Sequence, residues 1–137
     1  MSEAETIRIA AAVIVGADGR TLLVRKRGTE AFMQAGGKLG SGETAVVALR
    51  REIMEELGCD LETPPLALGR FSAPAANEMG RTVEAELFAV KLCGEIRPAA
   101  EIEDAIWHDP DDLDSIILAP LTRDHALPIA RDLRRRI

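Results

Sequence analysis

The sequence predicts an α/β fold: a mixed β-sheet with one helix set after the third strand and another at the C-terminal end. Three observations carry that expectation. Short apolar runs bounded by Gly, Asp, Asn and Pro recur along the chain in the manner of strands. The stretch 43–57 has apolar residues at helical spacing and is followed by Gly58, a natural stop. The length of 137 residues suits one core, so 1–137 is expected to form a single domain.

Taken in order, residues 7–15 form an apolar run suited to a buried strand, and Ala17-Asp18-Gly19 reads as a turn. Residues 21–27 follow as a second strand, so the two are expected to form a hairpin. Residues 28–32 are loop, leading to Gly36-Gly37-Lys38. There, just ahead of the helix, backbone without a Cβ allows a ligand to approach closely. In the helix 43–57, Val46, Leu49, Ile53 and Leu57 make an apolar face. Residues 66–71 and 82–92 read as strands around a loop rich in Ala, Pro and Asn, and 102–107 as a further short strand. A terminal helix from Asp124 would set Leu127, Ala130 and Leu133 on one side, despite Pro128 near its start. Aromatic content is only 3%, which leaves the core to aliphatic side chains. Phe71, Phe88 and Trp107 are expected to serve packing first.

Composition excludes several classes. A net charge of −6 argues against binding a nucleic-acid polymer by electrostatics. The basic residues near the end, Arg131 and Arg134 to Arg136, suit a solvated helix terminus, where cations complement the dipole. Glu3 and Glu5 precede the first apolar run, unlike the basic start of a signal peptide. No apolar stretch approaches the ~18 residues of a membrane span, so no membrane partner is expected. Cys59 and Cys93 lack metal-site spacing, which disfavours zinc or a disulfide and fits a reducing cytoplasm.

The chemistry concentrates on the first helix. At 100° per residue, Glu52, Glu55 and Glu56 span an arc of about 100° on one face. Like charges so placed cost a few tenths of a kcal/mol per pair, on the order of 0.2–0.5. Arg51 can reach Glu55 and offsets part of this. Three clustered carboxylates suit a hard divalent cation such as Mg2+; a solvated acidic face is the plain alternative. Glu43 is half a turn out of phase with Glu52 and is placed in the first helical turn, where the dipole favours negative charge. Arg25 and Arg27 alternate onto one side of their strand and either clamp phosphates or face solvent. Asn77 reads either as a base-edge contact or as a turn residue. His108 and His125 have no matching ligand set and are assigned structural or surface roles.

Residues 37–59 run GKLGSGETAVVALRREIMEELGC. Gly37, five residues, Glu43, seven residues, then Arg51-Glu52-Ile53, Glu55-Glu56, Gly58 and Cys59 reproduce the signature of the Nudix hydrolases. The chain resembles that family, specifically over 37–59 and more loosely over 8–110. The resemblance implies an α/β/α sandwich, with the sheet flanked by the box helix and the C-terminal helix. It implies a pyrophosphohydrolase acting on a nucleoside diphosphate linked to another group. Mg2+ would be the cofactor, Mn2+ a substitute, a small-molecule nucleotide the substrate, and a homodimer a frequent assembly.

By the same resemblance, Glu52, Glu55 and Glu56 are metal ligands, Glu52 is the first choice for general base, Arg51 orients the glutamates and Glu43 is structural. A carbonyl of the Gly36-Gly37 pair joins the metal shell, Gly37 meets substrate, and Lys38 meets a phosphate, with a free surface lysine as its alternative. Ala35 stands where the family often has Pro, which loosens the turn without touching a ligand. Glu101 opens EIEDAIW, similar to the segment that carries an additional metal-binding or proton-accepting glutamate in mutator-type members. Glu103, taken to share its strand face, is the competitor. These features favour a nucleoside triphosphate, oxidised ones included. Pro74 lies at a spacing associated with ADP-ribose hydrolysis, so ADP-ribose or a nucleotide sugar is the second expectation. A non-catalytic nucleotide-binding module is the third, against which the intact acidic set speaks.

Overall fold

The computed structural model describes residues 6–136; Glu3 and Glu5, used above in reading the N-terminal segment, lie outside them. Among the described residues the strands run in the order β1 (Thr6–Val13), β2 (Thr21–Lys26), β3 (Gly36–Lys38), β4 (Asp60–Leu61), β5 (Leu66–Pro74), β6 (Thr82–Ala89), β7 (Leu92–Cys93) and β8 (Ile102–His108). Helix α1 (Ala45–Leu57) follows β3, and α2 (Leu127–Arg134) closes the chain. The main sheet has the order β3-β1-β6-β5, with β1 parallel to β6 and antiparallel to β3. β2 pairs with β8, and the short β4 with β7.

β1 explains the layering. Its alternate residues Ala10 and Ala12 pack with Leu49, Ile53 and Leu57 of α1, while Ala11 and Val13 pack with Ala126 and Ala130 at the C-terminal helix. Each face of the sheet is thus covered by one helix, giving the α/β/α sandwich. A strand buried on both faces reads as a continuous apolar run rather than an alternating one. β2 behaves likewise, with Leu22 and Val24 in the α1 core and Leu23 in a separate cluster with Leu118 and Leu127.

The expected β1–β2 hairpin forms only at its turn. Gly16 N–H donates to Arg20 O at 2.8 Å, and Leu22 N–H to Ile14 O at 3.0 Å. Both edges of β1 are already occupied by β3 and β6, so β2 departs to pair with β8. The third strand ahead of the helix is Gly36–Lys38 itself, which the sequence marked only as open backbone.

Thr44 caps α1, its hydroxyl accepting from Val47 N–H, so the helix begins at Ala45 and not at Glu43. Gly58 ends it in the left-handed conformation at φ 67°, its N–H bonded to Met54 O. At the other end, Thr122–Ala126 is a π-helical turn, and Leu127 N–H reaches Thr122 O. Pro128 has no N–H to continue the α ladder, which the wider turn accommodates. Leu127 and Ala130 are buried there as expected.

Three smaller expectations are corrected. Trp107 is 38% exposed, because it covers the Gly16 turn from the surface instead of entering the core. Arg131 and Arg134 are not merely solvated: they reach the acidic loop after β8, Arg134 lying 2.9 Å from Asp111. Sequence placed a strand through 92, but β6 stops at Ala89 and Leu92–Cys93 turns to pair with β4. Cys59 is buried and Cys93 exposed, both as free thiols. Among the described residues no helix is long and apolar enough to cross a membrane.

Candidate active site

The site is built where α1 passes behind β3. Glu56, on the inner side of α1, is only 6% exposed, and its Oε1 accepts the Gly36 N–H at 3.2 Å. Burial first, and then the adjacent Glu52 charge, push its carboxyl up to about 8 against the pull of the Gly36 N–H. The Lys26 ammonium pulls in the opposite direction. Glu52 presses on the same strand one residue later: a Cβ at Gly37 would stand 2.5 Å from the Glu52 carboxyl carbon. Only glycine lets the carboxylate and the strand approach this closely.

Arg51 organises the outer side. Its Nε and Nη2 donate to both Glu43 oxygens at 2.9 and 2.8 Å, Nη1 donates to Glu52 at 2.5 Å, and Nη2 also reaches the Lys38 carbonyl at 3.1 Å. Glu55 lies 3.8 Å from Nη1 with its side chain 53% exposed. Glu43 further accepts from Gly40 N–H, closing the loop before the helix. Hydrogen bonds from Arg51 and then Gly40 hold the Glu43 carboxyl down to about 2, and the Arg51 guanidinium is raised in turn.

On the other side of β3 opens a cavity of about 590 Å³. Its floor is aliphatic, from Ile7, Ile9, Ala11 and Val83; Gly36, Gly37 and Lys38 form one rim. Lys26, Arg27, Glu101, Asn77 and Pro74 also face it. Glu52 and Glu56 do not line the cavity but stand directly behind its glycine rim. An anhydride laid across that rim would have cations on one side and carboxylates on the other.

With this arrangement established, a model of the NUDIX domain matches residues 5–132. The chain belongs to the Nudix family. As a Nudix hydrolase it is a pyrophosphohydrolase, acting on pyrophosphate bonds, and its solved neighbours have MutT-like character. A MutT Nudix hydrolase from Burkholderia pseudomallei is 28% identical, with 93% of this chain and 96% of that one covered and a TM-score of 0.72. The E. coli ORF135 protein is 27% identical, covering 96% and 93% respectively, with a TM-score of 0.74. A UDP-X diphosphatase at 21% identity, with 99% of this chain and 66% of that one covered and a TM-score of 0.76, shares the fold. A search of curated protein sequences gave no significant match.

In this Nudix chain the sequence-predicted residues divide. Gly36, Gly37, Lys38, Arg27, Asn77 and Glu101 all line the cavity. Arg25 does not: its Nε and Nη2 are committed to Asp104 and its Nη1 to Thr29 O. The register between β2 and β8 shifts between Arg25 and Lys26, leaving Glu103 as an extra residue. β2 ends at Lys26 and Arg27 lies in the turn beyond it; both line the cavity, and Arg25 does not. Glu103 is 3.5 Å from Arg27 and off the cavity wall, so it does not share the position of Glu101.

Glu43 sits before the helix cap, held by Arg51 and Gly40 and not by the helix dipole. His108 bonds the Asp112 carbonyl at 2.7 Å, and His125 lies against Phe71 and the Ser72 carbonyl. Sequence reasoning missed Lys26, Gln34 and Thr122 on the cavity wall. For Lys26 a signal existed, since it continues the alternation of Leu22 and Val24 toward the α1 side.

The donor chemistry fits a hard divalent cation: Glu52 and Glu56 are adjacent oxygen donors whose like charges oppose each other. The expected three-carboxylate cluster is nevertheless not assembled. Among the described residues no group of three His, Cys, Asp or Glu side chains converges, because Arg51 holds Glu55 outward beside its guanidinium.

Proposed function

We propose that this Nudix hydrolase cleaves a nucleoside triphosphate, oxidised ones included, between the α- and β-phosphates, giving a nucleoside monophosphate and pyrophosphate. One observation supports the reading above others: the cavity ends at the Gly36–Gly37 rim, directly in front of Glu52 and Glu56. The nucleoside lies on the aliphatic floor, and the phosphates extend over the rim toward Lys26, Arg27 and Lys38. Mg2+, with Mn2+ as a substitute, would be held by Glu52 and Glu56 with a Gly36 carbonyl, joined by Glu55 and Glu101. When bound, it supplies neutralisation of phosphate charge and acidification of water.

The residues of the chain do the rest. Water attacks phosphorus, its proton passes to the Glu52 carboxylate, and the P–O–P bond breaks with pyrophosphate leaving. Arg51 fixes the Glu52 carboxylate while Glu43 anchors Arg51 from behind. Gly37 keeps the distance between carboxylate and substrate short.

A second reading, ADP-ribose or a nucleotide sugar, draws on Pro74, which lines the cavity. Mg2+-dependent hydrolysis of a panel of nucleoside triphosphates, ADP-ribose and nucleotide sugars separates the two. Turnover of the triphosphates with release of pyrophosphate is the expected result. Hydrolysis of ADP-ribose or nucleotide sugars alone would replace the first reading with the second. Binding without hydrolysis of any of them would mark a non-catalytic module.

A further inference from the structure

Gln34 lies two residues before Gly36 on the cavity wall and is 6% exposed. Its Oε1 accepts a hydrogen bond of 2.7 Å from the hydroxyl of Thr122, itself fully buried. Its Nε2 is buried and has no hydrogen-bond partner among the described residues. A buried donor left unmet is costly, so such groups are rare and call for a reason. With Oε1 accepting from Thr122, the amide has its N–H groups left to present.

We propose that Gln34 is a specificity-determining residue that donates a hydrogen bond to a carbonyl oxygen on the substrate's base, selecting 6-oxopurines and 4-oxopyrimidines over their amino counterparts. The inference rests on the nucleotide reading of the cavity and assigns that nucleotide's base. Gln34 is two residues from Gly36, a separation of at most about 7 Å, which a sugar can span between base and phosphates. Among the described residues the cavity wall carries no Phe or Trp, so stacking on an aromatic ring does not supply the selectivity. Hydrogen bonding is left to discriminate. Gln34 lines the cavity, so a ligand oxygen entering there can approach the amide nitrogen while Oε1 keeps its bond to Thr122. An amino group in place of the carbonyl would set donor against donor and leave both unpaired.

The test is equilibrium binding of inosine and adenosine monophosphates to the intact protein, followed by kcat/KM for the corresponding triphosphates and for uridine against cytidine triphosphate. The oxo member of each pair should be preferred by about 10- to 100-fold, the range expected for one unmet polar group. Gln34→Leu should abolish the preference by weakening the oxo ligands alone. Thr122→Val, which releases the amide oxygen, should reduce the preference while both members still bind. Equal affinity for the two monophosphates, or no binding of either, overturns the proposal, as does an equal loss of both in Gln34→Leu that remains folded by circular dichroism. Preference for inosine monophosphate without hydrolysis of any triphosphate would uphold Gln34 and overturn the triphosphate reading instead.

Discussion

Replacing Arg51 with Lys keeps the charge and removes the fork. Arg51 makes four hydrogen bonds, two to Glu43, one to Glu52 and one to the Lys38 carbonyl. A lysine ammonium is a compact point charge and cannot span these positions at once. It can keep the equivalent of about one, so roughly three are lost, at about 0.5–1 kcal/mol each once solvent screening of a side chain 36% exposed is allowed for. The resulting loss of about 1.5–3 kcal/mol is smaller than the ~5–15 kcal/mol of a typical domain, so the variant stays folded. Catalysis should suffer more. Glu52 loses the bond that fixes its carboxylate, and misplacement of a reacting group by about 1 Å costs on the order of 100-fold. Urea unfolding and steady-state kinetics on one preparation separate the two effects. The expected result is kcat reduced about 100-fold, KM changed within a few-fold, and a modestly lower unfolding midpoint. Retention of kcat within threefold of wild type, alongside the stability loss, would show that Arg51 serves the fold alone.

Three further outcomes are expected. Glu56→Gln keeps an oxygen for the Gly36 N–H, so the fold should persist while metal affinity falls by at least about 10- to 100-fold; titration calorimetry showing wild-type affinity would remove Glu56 from the metal site. Gly36→Ala would drive a Cβ into the Ala10 carbonyl and to 2.7 Å from Ala11 Cα, at a φ of 148°. Crowding and backbone strain together should cost about 2–6 kcal/mol, read as a drop in the urea midpoint; an unchanged midpoint would contradict the packing of β3 on β1. Asp112 accepts from the Ser115 hydroxyl and from the Ser115 and Asp114 N–H groups, which lower its carboxyl from 3.8 to about 2. Folding therefore favours its charged form, and the contribution is full above the ordinary value and lost as pH falls toward 2. The stability gap between wild type and Asp112→Ala should be widest near neutral pH and close over that window; a gap that is constant with pH would refute the assignment.

What the sequence revealed follows from how local each feature is. Helix α1 was legible because its apolar spacing, the Gly58 stop and the run of glutamates all lie within one segment. Its start was misplaced because Thr44 and Glu43 are both plausible first residues. The choice was made by Arg51, which draws Glu43 away eight residues down the chain. The hairpin between β1 and β2 failed for a non-local reason: β6, far along the sequence, takes the parallel edge of β1.

The site divides along the same line. Carboxylates on one helix announced themselves, but the cavity is assembled from β1, β2, β3, the loop after β5 and the residues before α2. Alternation set Arg25 and Arg27 on one side of β2, but the strand ends at Lys26, so Arg27 lines the cavity while Arg25 pairs with Asp104. Gln34 was still less accessible to sequence reasoning. An amide matters here because Thr122, 88 residues away, occupies its oxygen and leaves its nitrogen unpaired. No pattern of spacing encodes that pairing; only the packing of the C-terminal helix against β1 brings the two together.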